Sequence, residues 1–150
     1  MHKLLLSLIS ILVFSSLGMA EDGLIRLKSS HDVKATTDRL ENNLKMKGMT
    51  VFTRINHAEG AQKVGKKLLP MELMIFGNAK VGTPLMQCSQ SFGIDLPQKA
   101  LIWKDGAGQV WLSYNDPEYL AKRHGIKGCS EAIKKIQNAL AMFARQATSK

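Results

Sequence analysis

The run Met-Glu-Leu-Met-Ile-Phe at residues 71–76 constrains the fold more than any other feature of the chain. Glu72 is its only polar residue, so both faces of a strand formed here would be largely apolar. Such a strand suits the interior of a sheet, with helices covering at least one of its faces. Gly77 and Asn78 then end the run. The chain is therefore expected to contain a β-sheet packed against helices.

Strand patterns and helix patterns alternate along the rest of the chain. In the last helix, Ile133, Ile136, Leu140 and Phe143 are spaced 3, 4 and 3 residues apart, as on one face of an α-helix. Similar patterns predict strands at 24–28, 50–57, 100–104 and 109–114, and helices at 58–66, 85–90, 116–124, from Ser30 to Gly48 and from Ser130 onward. These elements predict an α+β fold, a two-layer sandwich with helices packed on a mixed β-sheet of about five strands.

Two turn sequences predict local detail. Asp105–Gly108 has the composition of a hairpin turn, which would make Trp103 and Val110 cross-strand neighbours. In the tripeptide Gly-Thr-Pro, the Thr83 hydroxyl can cap free amides, and Pro84 is suited to the first position of a helix. We therefore expect a helix to begin at this tripeptide.

The amino terminus has the pattern of a secretory signal peptide. A short basic start precedes an apolar run from Leu4 to Phe14, and Gly18 and Ala20 supply the small residues of a cleavage site. The run is too short for a permanent anchor, which needs roughly 20 apolar residues. Cleavage after Ala20 would leave residues 21–150 as a single periplasmic or secreted domain without stable membrane insertion.

The charge balance favours acidic partners over basic ones. The full chain has 21 Lys and Arg against 12 Asp and Glu. Removing Lys3 with the signal leaves 20 − 12 = +8. Export removes nucleic acid from reach, and the basic residues are dispersed without aromatic residues beside them. We expect no nucleic-acid partner, and a solvated basic surface is the simpler explanation of the charge.

The two cysteines, Cys88 and Cys129, both lie in the part of the chain that would be exported. An oxidising compartment permits a disulfide, and one pair allows one connectivity. Neither cysteine lies in a zinc, thioredoxin or haem-attachment motif, so we predict no metal site and no cofactor. The alternatives to an intramolecular bridge are two buried thiols, a redox-active pair and a bridge between subunits.

Three long segments carry a resemblance to a known family. They are TTDRLENNLKMKGMTVFTRINHAEGA (36–61), MIFGNAKVGTPLMQ (74–87) and GIDLPQKALIWKDGAGQVWLSYNDPEYLAKRHGI (93–126). In this order they resemble the bacterial family called domain of unknown function 302. The resemblance implies a compact two-layer α/β domain that forms homodimers. It implies no established activity, so function stays open.

The candidate site lies around His57 and the loop from Gly77 to Met86. His57 stands at the carboxyl end of a predicted strand, where ligands of open sheets tend to bind, although a histidine packed on its own strand is an equally simple explanation. The predicted ligand-binding residues are His57, Asn78, Gly82, Thr83, Met86 and Asp95.

Several functions fit these observations. The first is an exported module that binds a small or anionic ligand, or serves as an accessory to another protein, in homodimeric form. The second is a small periplasmic enzyme in which His57 is the general base and the amides of residues 82–85 hold an anionic group. The third is a copper or haem protein that uses methionine and histidine, and the fourth is a module with no function except association. No recognised catalytic motif is present, which makes an enzyme less expected.

Overall fold

The computed structural model describes residues 22–150. The predicted signal peptide and its cleavage site lie outside these residues. The elements are β1 (Leu24–Ser29), α1 (Val33–Met46), β2 (Thr50–Asn56), α2 (His57–Lys63), β3 (Met71–Gly77), α3 (Ala79–Cys88), a 3-10 helix (Gln90–Asp95), β4 (Gln98–Lys104), β5 (Val110–Asn115), α4 (Pro117–Arg123) and α5 (Ser130–Thr148).

The five strands form one sheet in the order β1-β5-β4-β3-β2. The predicted α+β sandwich with about five strands is confirmed, and the apolar run at 71–76 lies in the interior strand β3. The predicted mixed sheet is wrong in one respect, since all four strand pairs are antiparallel. The reason is that α3 and the 3-10 helix return the chain to the end of the sheet where β3 finished. No crossover to a parallel neighbour occurs there.

The core lies between one face of the sheet and the helices α1 and α5. Met74, Phe76 and Leu112 are buried on the sheet side. The predicted apolar face of the last helix is confirmed, because Ile133, Ile136, Leu140 and Phe143 are all buried. Burial raises the pKa of Tyr114, on the same sheet face, to about 12, so its phenol stays neutral at ordinary pH.

An arginine clamps α1 to the edge of the sheet. Arg54 on β2 makes two hydrogen bonds to Glu72, at 2.8 and 3.0 Å, and one each to Asp38 and Glu41, at 2.7 and 2.9 Å. Hydrogen bonds from Lys34 and Arg54 lower the pKa of Asp38 below its usual value. Lys45 and Arg54 do the same for Glu41. The ion pairs therefore hold a helix against two strands.

Two predicted details differ from the structure. Asp32, rather than Ser30, caps α1, because its carboxylate accepts a hydrogen bond from the Ala35 amide at 2.7 Å. Trp103 lies opposite Trp111 rather than Val110. The hairpin turn takes in one more residue than predicted, with the Asp105 amide donating to the carbonyl of Gln109. The register is thereby shifted by one residue.

Candidate functional site

An apolar cavity of about 450 Å³ opens where α3 and the 3-10 helix meet α5 and the end of β3. This volume is within the range of small-molecule sites, about 300–1,000 Å³. Its walls are mainly apolar side chains, and they include Met49, Phe52, Val81, Met86, Leu96, Ile136, Ala139, Leu140 and Phe143. The cavity adjoins the protein core, so its shape is set by the packing of α5 on the sheet.

Small residues keep the cavity open. A Cβ atom built on Gly82 would lie 3.3 Å from Leu96 Cδ1, and one built on Gly93 would lie 3.6 Å from the sulfur of Met86. Ala139 contributes a small side chain from α5. Larger side chains at these positions would meet the opposite wall or fill the space. The glycines thus serve the shape of the cavity rather than an unusual backbone angle at these points.

Gln98 is the most buried polar residue of the cavity lining. It is 8% exposed, it lines the cavity, and its side chain makes no hydrogen bond to any described residue. No polar side-chain atom in residues 22–150 is both fully sealed from solvent and unpaired, so the unpaired side-chain amide of Gln98 keeps some access to solvent. A nearly buried amide with no protein partner depends on water or on a ligand for its hydrogen bonds. A ligand with a hydrogen-bonding group would meet that need.

The charged residues that line the cavity are both basic. Lys47 follows α1, and Lys135 lies on α5. No Asp or Glu belongs to the lining. The lysines are exposed, so their effect on a ligand is the modest attraction of a solvated ammonium group. The field around the cavity therefore favours an acidic group over a basic one.

The structure brings three of the six predicted ligand-binding residues to this cavity. Gly82 and Met86 line it directly. Asn78 also lines it, but its side chain is already hydrogen-bonded to the backbone. Its Nδ2 atom donates to the carbonyl of Gly48 at 3.0 Å, and its Oδ1 atom accepts from the Lys80 amide at 2.9 Å. Asn78 therefore shapes the wall rather than offering free donors.

The predicted helix start at Thr83 is wrong. α3 begins at Ala79 and is capped by Asn78, which leaves Thr83 exposed within the helix and Pro84 in its interior. The Gly82 amide already donates to the carbonyl of Asn78 at 2.9 Å. The free amides that the enzyme hypothesis placed at residues 82–85 therefore belong to the body of a helix instead of its first turn.

His57 lies at the other end of β2 from the cavity. Thr50 at the start of β2 pairs with Gly77, which lines the cavity, whereas Asn56 at the end of β2 pairs with Glu72. His57 then begins α2, which has no buried residue. The structure does not bring His57 to the loop with which it was grouped.

Asp95 lies in a second cluster instead, with His124 and Ser91. The Nε2 atom of His124 is 2.5 Å from Asp95 Oδ2, and its Nδ1 atom is 2.9 Å from Ser91 Oγ. The side chains of His124 and Asp95 are 6% and 12% exposed, whereas Ser91 is exposed. Phe92 covers the imidazole, with ring centroids 5.1 Å apart.

The predicted disulfide is present and lies beside this cluster. Cys88 and Cys129 are bonded, with Cα atoms 6.6 Å apart, within the usual range for disulfides. Cys88 ends α3 just before the 3-10 helix that carries Ser91, and Cys129 precedes α5. The bridge therefore ties the segment with Ser91 to the segment after His124. Within residues 22–150, no three His, Cys, Asp or Glu side chains converge as a metal site would require.

Sequence reasoning missed both Gln98 and the pairing of Asp95 with His124. The available signal for Gln98 was its position, because a polar residue there shares a strand face with Ala100 and Ile102. The pairing of Asp95 with His124 spans 29 residues and carries no sequence signal.

Comparisons with known proteins agree on family and fold. The family model described as "Domain of unknown function DUF302" matches residues 25–143. A solved structure of an uncharacterized conserved DUF302 protein from Bacillus stearothermophilus superimposes with a TM-score of 0.76 at 21% identity, over 83% of this chain and 98% of that one. At this identity the superposition shows the fold alone.

Curated relatives carry a different kind of name. "Fluoride-specific ion channel FluC 1" of Brucella suis is 48% identical over 106 residues, 71% of this chain and 42% of the relative. The protein of the same name in Brucella abortus matches with the same identity over 39% of its length. This chain thus spans about two fifths of the curated relatives it matches. None of the helices within residues 22–150 is long and apolar enough to cross a membrane.

Proposed function

Since the chain belongs to the DUF302 family, whose name assigns no activity, we propose that it is an exported module that binds a small amphipathic molecule in the cavity beside α5. The observation that carries this proposal is Gln98, a nearly buried polar residue that lines a mainly apolar cavity and whose side chain makes no hydrogen bond to any of residues 22–150. A cavity that served packing alone would be expected to have an apolar residue at this position.

The ligand class follows from the cavity walls. Burying the hydrocarbon part of a ligand against these apolar side chains stabilises the complex by about 25 cal/mol per Å² of apolar surface removed from water. Gln98 can both donate and accept, so a carbonyl, hydroxyl or amide of the ligand satisfies it. Lys47 and Lys135, the charged residues of the lining, favour an acidic group over a basic one. Together these features describe a medium-chain molecule with one polar or acidic end.

A panel of three ligands with the same chain tests this class. Decanoate, decanol and decylamine differ only in the head group, and thermal unfolding of the mature protein reports binding because a ligand of the folded state raises the apparent stability. We expect decanoate to raise the melting temperature most and decylamine least. Ala139→Phe, which fills the cavity, should abolish every shift, and His57→Ala serves as the matched control that leaves the shifts unchanged. Equal shifts in Ala139→Phe would contradict binding in this cavity.

The second part of the proposal is a homodimer formed through the sheet face opposite α1 and α5. Trp103 stacks on Trp111 there, with ring centroids 6.5 Å apart, and Leu73 and Leu101 continue the apolar surface across β3 and β4. All four side chains are half-buried in one chain. A second copy would cover them, as the family resemblance implies, and an isologous contact is the common form of such dimers.

A second candidate function comes from the curated relatives. Proteins named as fluoride-specific ion channels contain a region 48% identical to this chain, which favours a role as an accessory to a membrane transport protein. Deleting the matched region from the Brucella suis relative and measuring fluoride efflux from proteoliposomes tests this role. An altered rate or an altered response to added decanoate supports it, and identical efflux in both forms contradicts it.

A further inference from the structure

The cluster of Ser91, His124 and Asp95 has the geometry of a nucleophile, a base and an orienting acid. The contact between Ser91 and His124, at 2.9 Å, lies within the range for a nucleophile and its base, about 2.6–3.2 Å between heavy atoms, and the contact between His124 and Asp95 is shorter, at 2.5 Å. We infer that these residues form a hydrolytic site for small carboxylic esters, separate from the apolar cavity.

The hydrogen bonds define the direction in which a proton would move. An ionised Asp95 can only accept, so the Nε2 atom of His124 carries the proton that it shares with Asp95. In the neutral imidazole, Nδ1 is then the acceptor, and the Ser91 hydroxyl donates to it. This is the tautomer in which the histidine is ready to take the serine proton.

The surroundings bury the base and leave the nucleophile accessible to solvent. His124 and Asp95 are nearly buried, and Phe92 packs against the imidazole. Ser91 is exposed and lies two residues after Ser89, whose hydroxyl is 3.0 Å from Ser91 Oγ. The neighbouring disulfide restrains both segments of the cluster. A rigid base next to an exposed hydroxyl is the arrangement that nucleophilic catalysis requires.

The reaction balances with water as the only co-substrate. Ser91 Oγ bonds to the ester carbonyl carbon while its proton passes to Nδ1 of His124. The bond to the alcohol oxygen then breaks, and that oxygen takes the proton, which leaves Ser91 acylated. Water gives a proton to Nδ1 and bonds to the acyl carbon. The bond to Ser91 Oγ breaks as the proton returns to it, and a carboxylic acid is released. Ser91 is exposed and does not line the apolar cavity beside α5, so the ester is expected to be small and to react at an open surface.

A serine-directed fluorophosphonate probe tests the nucleophile. The mature protein is incubated with the probe, and peptide mass spectrometry locates the modified residue. We expect the probe to modify Ser91 in the wild type and to leave Ser91→Ala unmodified. In His124→Gln the labelling rate should fall by a factor of about 100 or more, since a general base contributes roughly 10²–10⁴-fold. Ser30→Ala, an exposed serine outside the cluster, is the matched control and should label at the normal rate.

Hydrolysis of p-nitrophenyl acetate tests turnover in the same set of variants. Ser91→Ala should remove the enzymatic rate while the melting temperature stays unchanged, because Ser91 is exposed. Asp95→Asn, which is similar in size, should lower the rate and alter its pH profile. A cluster that acts only as a structural strut would give no label at Ser91 and the same hydrolysis in Ser91→Ala. Either result would overturn the assignment.

Discussion

Removing the Cys88–Cys129 bridge should destabilise the protein by about 2–4 kcal/mol. The bridge closes a loop with a sequence separation of 41 residues, for which the chain-entropy expression gives about 4 kcal/mol near room temperature. Native strain and enthalpic terms reduce what is measured, so the expected range begins near half of that value. The loss arises because the unfolded chain gains freedom that the bridge denies it.

Urea unfolding of the wild type and of the double variant Cys88→Ala/Cys129→Ala measures this change. Wild-type protein unfolded in the presence of a reductant is the matched control, and it should unfold at the same urea concentration as the double variant. Hydrogen exchange should accelerate most at the end of α3 and at the start of α5, because the bridge joins these segments. If the free energies of unfolding of the wild type and the double variant differ by less than about 0.5 kcal/mol, the entropic reasoning is refuted, because an ordinary surface substitution produces a change of that size. Free thiols in freshly exported protein would refute the bridge itself.

Three further predictions follow from the clamp, the export signal and the sheet face. Arg54→Met should cost about 2 kcal/mol in urea unfolding, since it removes hydrogen bonds to carboxylates. The pKa values of Asp38 and Glu41 are lowered in the folded state, first by Lys34 and Lys45 and then by Arg54. The stability that these carboxylates supply is therefore present above their ordinary unfolded pKa values and is lost as the pH falls through the lower folded values. The variant should show a smaller acid-dependent loss, because Lys34 and Lys45 remain, and an equal loss in both proteins would contradict the clamp. The intact mass of exported protein should correspond to a chain that begins at Glu21, whereas a mass that retains residues 1–20 would contradict export. Wild-type protein should have the mass of the proposed dimer in light scattering after size-exclusion chromatography, and Leu101→Glu should have the mass of a monomer; equal masses for the two proteins would exclude the proposed interface.

The sequence predicted the layers of the fold because the decisive signals are periodic. The apolar run at 71–76 and the 3-4-3 spacing in α5 each report which side of an element is buried. The strand directions were less accessible, since they depend on whether the chain between β3 and β4 crosses the sheet or returns. The predicted hairpin register was wrong by one residue, because Trp103 is opposite Trp111 only when the turn extends to Gln109. Turn chemistry identifies the hairpin without fixing its length.

The candidate site was predicted only in part, for a related reason. Gly82 and Met86 were expected in the pocket because they belong to a glycine-rich loop, and the cavity includes both. Asn78 proved to be the helix cap that Thr83 was expected to be, since its amide can bond two backbone groups at once. His57 was grouped with this loop by its place at a strand end. Which end of the sheet a residue occupies depends on strand order, and that order is a property of the whole fold.

The most direct test of the central claim is the affinity of decanoate for wild-type protein and for Gln98→Leu, measured by isothermal titration calorimetry on the mature chain. Leucine matches glutamine closely in size and keeps the cavity apolar, so the variant isolates the hydrogen bond. The account predicts that Gln98→Leu binds decanoate about 10-fold or more weakly, as expected from the loss of about 1.5 kcal/mol or more for a hydrogen bond to a charged group, and that the unliganded variant is as stable as the wild type or more stable. Equal affinity for decanoate in both proteins, or no binding to the wild type, would contradict it.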